Sequence, residues 1–317
     1  MPMPMTARIR VLGLFALSCL AALRGMGQSS DGPHVAIEPR ARPGPAPEIV
    51  RPATFRLDVK LIQIPITITD SRNRPVLGLE RDRFRVFEDD IEQQIAAFSM
   101  TDGAVSVGLV FDSSGSMRTH IADSRKAIDE FLKTSVQGDQ YFLVQFSDSP
   151  SLRVPLTPDP GEIARKLGFI QPHGWTAMND AIVRALGELR RASNPRRVLL
   201  VLTDGADNNS RYSDGELLSL VREADAVVFA IGLFERPRFL ERLAEETGGK
   251  VIWVRHMNDL PEAIAKLSLE IRNQYLVGYF SDRVRNDGRY HKVRIDVQQP
   301  SEKSALRVNW RKGYVAP

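Results

Sequence analysis

The feature that most restricts the fold is an alternation that begins near Ala104. Short, largely apolar runs at 105–111, 141–146, 198–202, 227–231 and 251–254 are separated by stretches with helical spacing at 121–136, 177–192, 213–224, 237–247 and 258–273. A strand with no polar alternation is buried on both faces, and helices between such strands supply the cover. The pattern predicts an α/β fold with a doubly wound, mainly parallel six-stranded sheet over 104–274. The expected strand order is 3-2-1-4-5-6. The short strand 152–156 is expected to be antiparallel at one edge, because Asp148-Ser149-Pro150 is too short for a parallel crossover.

The flanks read differently. Residues 54–100 and 275–317 are β-rich, with turns at Ser71–Pro75, Glu88–Asp90 and Asn286–Gly288. Phe55, Leu57 and Val59 alternate with polar residues, and then Ile62, Ile64, Ile66 and Ile68 alternate in the other frame, which predicts a bulge near Leu61. Pro65 argues for an edge position or a break in pairing. Neither flank offers enough strands to be stable alone, so the two are expected to form one small antiparallel β-sandwich.

Ahead of them, residues 28–53 are proline-rich and read as an extended linker. Residues 1–27 have the form of a Sec-type signal peptide: Arg8 and Arg10, an apolar run through Leu23, and Gly25 and Gly27 before the cut. That implies a secreted or periplasmic protein. Cys19, the single cysteine, offers the alternative of a lipid anchor. Removing 1–27 takes away Arg8, Arg10 and Arg24 and no acid, so the +4 chain becomes +1. A nearly neutral chain has no electrostatic case for nucleic acid, and no second apolar run of membrane length follows.

The candidate chemistry lies at the ends of the buried strands. Asp112-Ser113-Ser114-Gly115-Ser116 follows the first of them and precedes a helix, at the carboxyl edge where open α/β sheets bind ligands. Oxygen-bearing side chains at every second position can converge, and Gly115 permits a tight loop. Thr176 precedes another helix, and Asp204 ends the next strand. Hydroxyls with carboxylates form a hard, all-oxygen donor set suited to Mg²⁺, Mn²⁺ or Ca²⁺. The competing reading of each residue is a helix cap or turn residue. Asp180 reads as a first-turn acid, and Asp207, Asn208 and Asn209 as a solvated loop rather than a second cation site.

With Asp-x-Ser-x-Ser at 112–116, then Thr176, then Asp204, the sequence resembles the von Willebrand factor A family and its metal-ion-dependent adhesion site. The resemblance implies that Ser114, Ser116 and Thr176 touch the metal, with Asp112 and Asp204 acting directly or through water. It also implies one position left for a carboxylate from a partner. Trp175 departs from the small residue expected beside the threonine; it reads as a packed loop anchor, with a partner contact as the other reading. The flanking segments Val86-Phe87-Glu88-Asp89, Tyr275-Leu276-Val277-Gly278-Tyr279 and Arg311-Lys312-Gly313-Tyr314 resemble the "VWFA-related" proteins of acidobacteria.

Enzyme signatures are missing from the chain. The histidines are scattered with no His-Glu-x-x-His, and there is no Gly-x-Ser-x-Gly elbow or phosphate-binding glycine loop. An Asp112-based hydrolase would want a second acid where Ser114 stands. The expected function is therefore an exported, cation-dependent module that binds a protein ligand through an acidic residue. A scaffold subunit of an envelope assembly, with a metal that orders loops, is the alternative.

Overall fold

The computed structural model describes residues 61–101, 103–236, 238–281, 287–299 and 305–316. All of them lie in Phe55–Pro317, the second of two units into which the chain divides. The expected signal peptide, the linker, and the alternation at Phe55, Leu57 and Val59 with its frame slip fall outside the described residues.

Four strands come first: β1 (Leu61–Thr69), β2 (Phe84–Glu88), β3 (Ile91–Gln93) and β4 (Ile95–Thr101). The α/β part follows with β5 (Ser106–Asp112), α1 (Ile121–Leu132), β6 (Gln140–Phe146), β7 (Pro150–Thr157), α2 (Pro160–Leu167) and α3 (Met178–Leu189). It continues with β8 (Arg197–Thr203), α4 (Asp214–Glu223), β9 (Val227–Leu233), α5 (Arg238–Thr247), β10 (Val251–Val254) and α6 (Leu260–Arg272). The last strands are β11 (Gln274–Phe280), β12 (Tyr290–Val297), β13 (Arg307–Trp310) and β14 (Gly313–Val315).

The central sheet runs β10-β9-β8-β5-β6-β7, which is the expected order. All its pairings are parallel except β6 with β7, so the antiparallel edge also stands where the short turn demanded it. Every residue of β5 and β9 is buried, as unbroken apolar strands require. Leu109, Phe111 and Phe229 point to the face covered by α1, α2 and α6, where they meet Phe131, Ile163 and Leu267. Val110, Leu199 and Val228 point to the other face, against Ile182, Leu217 and Leu243 of α3, α4 and α5. Fully burying one such side chain stabilises the fold by about 1.5–3 kcal/mol, and this burial rather than helix propensity holds the layers together.

Local signals set the helix ends. Ser213 and Glu216 form a reciprocal capping box at the start of α4. Helix α2 is an addition to the expected pattern: Asp159 accepts from the Gly161 N–H at 2.8 Å and Pro160 occupies the first turn.

The flanks interleave into two four-stranded antiparallel sheets, β13-β1-β11-β4 and β14-β12-β2-β3. Ile64, Ile66, Tyr275, Val277 and Tyr279 of the first pack with Phe84, Val86, Val293 and Ile295 of the second in one core, which makes them a sandwich. Pro65 does not sit on an edge strand. It pairs with Leu276 of β11, while the ladder to β13 begins only at Ile66, so the break in pairing falls on the side where proline has no N–H to give.

Candidate functional site

Four of the five expected oxygen donors form one connected cluster at the carboxyl edge. Ser114 Oγ and Ser116 Oγ lie 3.1 Å apart, and the Ser116 hydroxyl donates to Asp204 Oδ1 at 2.8 Å. Asp112 is fully buried at the end of β5, where Oδ1 accepts from the Ser114 N–H at 2.7 Å and Oδ2 from the Thr203 hydroxyl at 2.6 Å. Thr203 and Asp204 end β8, the neighbour of β5, so strand adjacency alone brings the two aspartates together.

Thr176 arrives by a different route. Its N–H donates to Asn208 Oδ1 at 2.8 Å and its carbonyl accepts from the Asn208 N–H at 3.0 Å. The same loop is fastened to the serine segment by the Gly115 N–H, which donates to the Gly174 carbonyl at 3.0 Å, and by the His173 N–H, which donates to the Ser113 carbonyl at 2.8 Å. Thr176 is buried beside the cluster, but no hydrogen bond joins its hydroxyl to the described residues.

The capping readings can be checked directly. Ser114 precedes a short 3-10 turn over Gly115–Thr119, yet its side chain makes no capping bond and turns to Ser116 instead. Helix α3 starts after Ala177, also with no side-chain cap, so Thr176 is not a cap residue. Only the Asp112–Ser114 bond is of the local turn type.

Electrostatics separate this cluster from an ordinary buried polar network. Burial pushes the Asp112 carboxyl up to about 6, and the nearby Asp204 charge adds to that, against the hydrogen bonds from Thr203 and Ser114. Asp204 is also raised, mainly by burial, with His120 as an opposing positive influence. Neither carboxylate has an ion-pair partner among the described residues. Two buried acids with hydroxyls between them and no cation form a set that a hard divalent ion would complete. The described residues bring together no three His, Cys, Asp or Glu side chains able to hold a metal.

Several supporting residues carried no motif signal. Ser113 reaches Phe146 O with its hydroxyl at 2.8 Å and accepts from Gln145 Nε2 at 2.8 Å, which locks the serine loop to β6. Asp148 accepts from the Trp175 N–H at 2.8 Å. The glycine the loop requires is Gly174 rather than Gly115: its φ is +72°, and a Cβ there would meet the Asp148 carboxylate at 2.2 Å. Trp175 itself is 65% exposed, which overturns the packed-anchor expectation.

The loop acids and amides are structural ties. Asp207 accepts from the Asn179 N–H, Asn208 holds Thr176, and Asn209 donates to the Asp148 carbonyl at 2.8 Å. Asp180 accepts from the Arg211 and Tyr212 N–H groups and from Arg211 Nε at 3.0 Å.

Comparison with known proteins agrees on the class. The family described as von Willebrand factor type A domain matches residues 107–206, and the chain carries such a domain there. An uncharacterized protein of Borreliella burgdorferi is 28% identical over 141 residues, a match spanning 41% of this chain and 41% of that protein. Among solved structures, a von Willebrand factor type A protein from Catenulispora acidiphila is similar at 14% identity and a TM-score of 0.49, over 82% of this chain and 75% of that one. Proximal thread matrix protein 1 from the mussel byssus, with a zinc-occupied metal-ion-dependent adhesion site, is similar at 19% identity and a TM-score of 0.49, over 58% of this chain and 49% of that one. Among the described residues, no helix is long and apolar enough to cross a membrane.

Proposed function

We propose that the chain is an exported protein-binding module whose carboxyl-edge cluster holds one divalent hard cation, Mg²⁺, Mn²⁺ or Ca²⁺, and engages a carboxylate of a protein partner. The observation that carries this reading is the pair of buried, cation-free carboxylates of Asp112 and Asp204, linked to the hydroxyls of Ser116 and Ser114. Asp112, Ser114, Ser116, Thr176 and Asp204 would hold the ion. When bound, it supplies a positive charge that two acids do not over-neutralise, and that charge attracts an anionic group from outside. Ser116 is exposed, so the cluster opens to solvent on the partner's side.

The loop-ordering scaffold reading has less support. Hydrogen bonds of Ser113, Asp148 and Asn208 fasten the loops through protein groups alone. Hydrolysis by Asp112 is disfavoured because both of its oxygens are engaged beneath the surface. Export rests on the leader-like residues 1–27, and N-terminal sequencing of the mature protein tests it, lipid on Cys19 marking the anchored alternative.

Thermal melting with Mg²⁺, Mn²⁺ or Ca²⁺ against a chelator tests the cation. A bound ion at about a hundred times its Kd stabilises the native state by about 2.7 kcal/mol. The wild type should melt several degrees higher with the ion, and Ser116→Ala and Asp204→Ala should lose the shift. No shift with any of the three ions at millimolar concentration would overturn the proposal.

A further inference from the structure

The carboxyl edge displays two large exposed aromatic side chains, Trp175 and Phe234, at 65% and 45% exposure. Each is positioned by its backbone rather than by packing. Trp175 is held through its N–H by Asp148, next to the positive-φ Gly174. Phe234 directly follows β9 with φ +67°, a left-handed conformation that bulky side chains rarely adopt. Its N–H donates to the Val254 carbonyl at 2.9 Å, and its ring leans on His120 at 4.5 Å between centroids. His120 closes the short Gly115–Thr119 turn that follows Ser114, so this ring contact sets Phe234 against the segment that carries Ser114 and Ser116.

Strand order sets the spacing. Trp175 lies over the end of β6, because Asp148 follows that strand and the Ala177 N–H donates to the Ser147 carbonyl at 2.8 Å. The sheet runs β9-β8-β5-β6, so three inter-strand steps, about 14 Å, separate the two aromatic positions. Asp204, just after β8, and the Asp112–Ser116 segment at the end of β5 occupy the middle of that interval.

We infer that the partner presents an extended segment with an acidic residue at its centre and an apolar side chain two residues to either side, the two apolar groups contacting Trp175 and Phe234. In an extended chain, residues i−2, i and i+2 share one face and span about 14 Å at roughly 3.4 Å per residue. The acid then faces the oxygen cluster while its flanking side chains reach the aromatic pair. Exposed aromatics whose backbones are already fixed lose little freedom on binding, which is how they contribute affinity. The inference rests on the cation reading above.

The test is fluorescence anisotropy on the full mature chain with labelled Gly-Leu-Gly-Glu-Gly-Leu-Gly, in Mg²⁺ and in chelator. Comparison peptides carry alanine in place of both leucines, or leucines four residues from the glutamate within a helix-forming alanine host. The leucine peptide should bind about tenfold tighter than the alanine peptide, and only with Mg²⁺. Trp175→Ala and Phe234→Ala should each erase most of that preference while leaving the Mg²⁺ thermal shift intact. Equal binding of leucine and alanine peptides, or tighter binding of the helical-spacing peptide, with an intact shift overturns the aromatic pairing alone. Absence of the shift overturns the cation reading and this inference with it.

Discussion

Two aspartates at opposite ends of the central sheet are both shielded from solvent, with opposite outcomes. Asp139 lies at the amino edge, just before β6. It accepts from the Val105 and Val136 N–H groups at 2.9 Å each, from the Tyr141 hydroxyl at 2.9 Å, and from both Arg272 nitrogens at 3.0 and 2.6 Å. Burial alone would raise its carboxyl, but the Arg272 hydrogen bonds and charge and the two N–H donors outweigh burial and hold it below the usual value. Asp112, at the carboxyl edge, has a hydroxyl and one N–H but no cation, and burial raises it to about 6. The amino edge, where the chain enters and leaves the α/β part, is neutralised by the protein itself. At the carboxyl edge, no Lys or Arg among the described residues forms an ion pair with Asp112 or Asp204, and the proposed binding role draws on that difference.

Removing each aspartate is the most direct way to break the comparison. Asp139→Ala leaves the half-buried Arg272 uncompensated and should destabilise the protein by about 3–5 kcal/mol, read from urea unfolding. Asp112→Asn in chelator should cost far less, because it removes an unpaired buried charge rather than exposing one. A large loss for Asp112→Asn without metal, equal to that of Asp139→Ala, would mean that the two edges are built alike.

A smaller effect sharpens the account of the carboxyl edge. Thr203→Val keeps the shape of the side chain but removes the hydroxyl that donates to Asp112 Oδ2, which should cost about 1–3 kcal/mol for the unsatisfied buried acceptor. It should also weaken the Mg²⁺ shift, since only the Ser114 N–H then orients the carboxylate. Denaturant titrations with and without ion separate the two effects.

The smallest effect is in acid. The folded-state pKa of Asp139 lies below the usual aspartate value of 3.8. Its contribution is therefore fully present above that value and is lost as pH falls through the folded pKa. As pH falls below 3.8, Asp139→Asn should show a shallower loss of stability than the wild type. Parallel curves would show that the Arg272 pairing does not survive in solution.

Much of this molecule was legible as pattern. The apolar runs placed β5, β6, β8, β9 and β10, and the short turn at Asp148-Ser149-Pro150 set β7 antiparallel, because loop length limits what a connection can cross. Local chemistry was equally readable at Ser213 and Glu216. The Asp159-Pro160 signal at the start of α2 is of the same kind and needed only closer reading. The Asp-x-Ser-x-Ser segment and Asp204 were readable because both sit at the ends of strands whose adjacency the order predicted. Thr203, Asp148, Asn208 and Gly174 were not, since a single threonine, acid, amide or glycine in a loop has no period or spacing to distinguish it.

The sequence by itself determined which segments are strand or helix and which faces they must bury, because the periods of two and 3.6 residues write burial directly into the order of side chains. It also determined the oxygen-rich chemistry at the strand ends. Tertiary structure alone decided that β11 lies between β1 and β4, that Pro65 falls where a ladder stops, and that Trp175 faces solvent. It alone decided that Arg272 reaches Asp139 while, among the described residues, no Lys or Arg pairs with Asp112. Those outcomes depend on partners one or two hundred residues apart, and no local period records which distant surface a segment will meet.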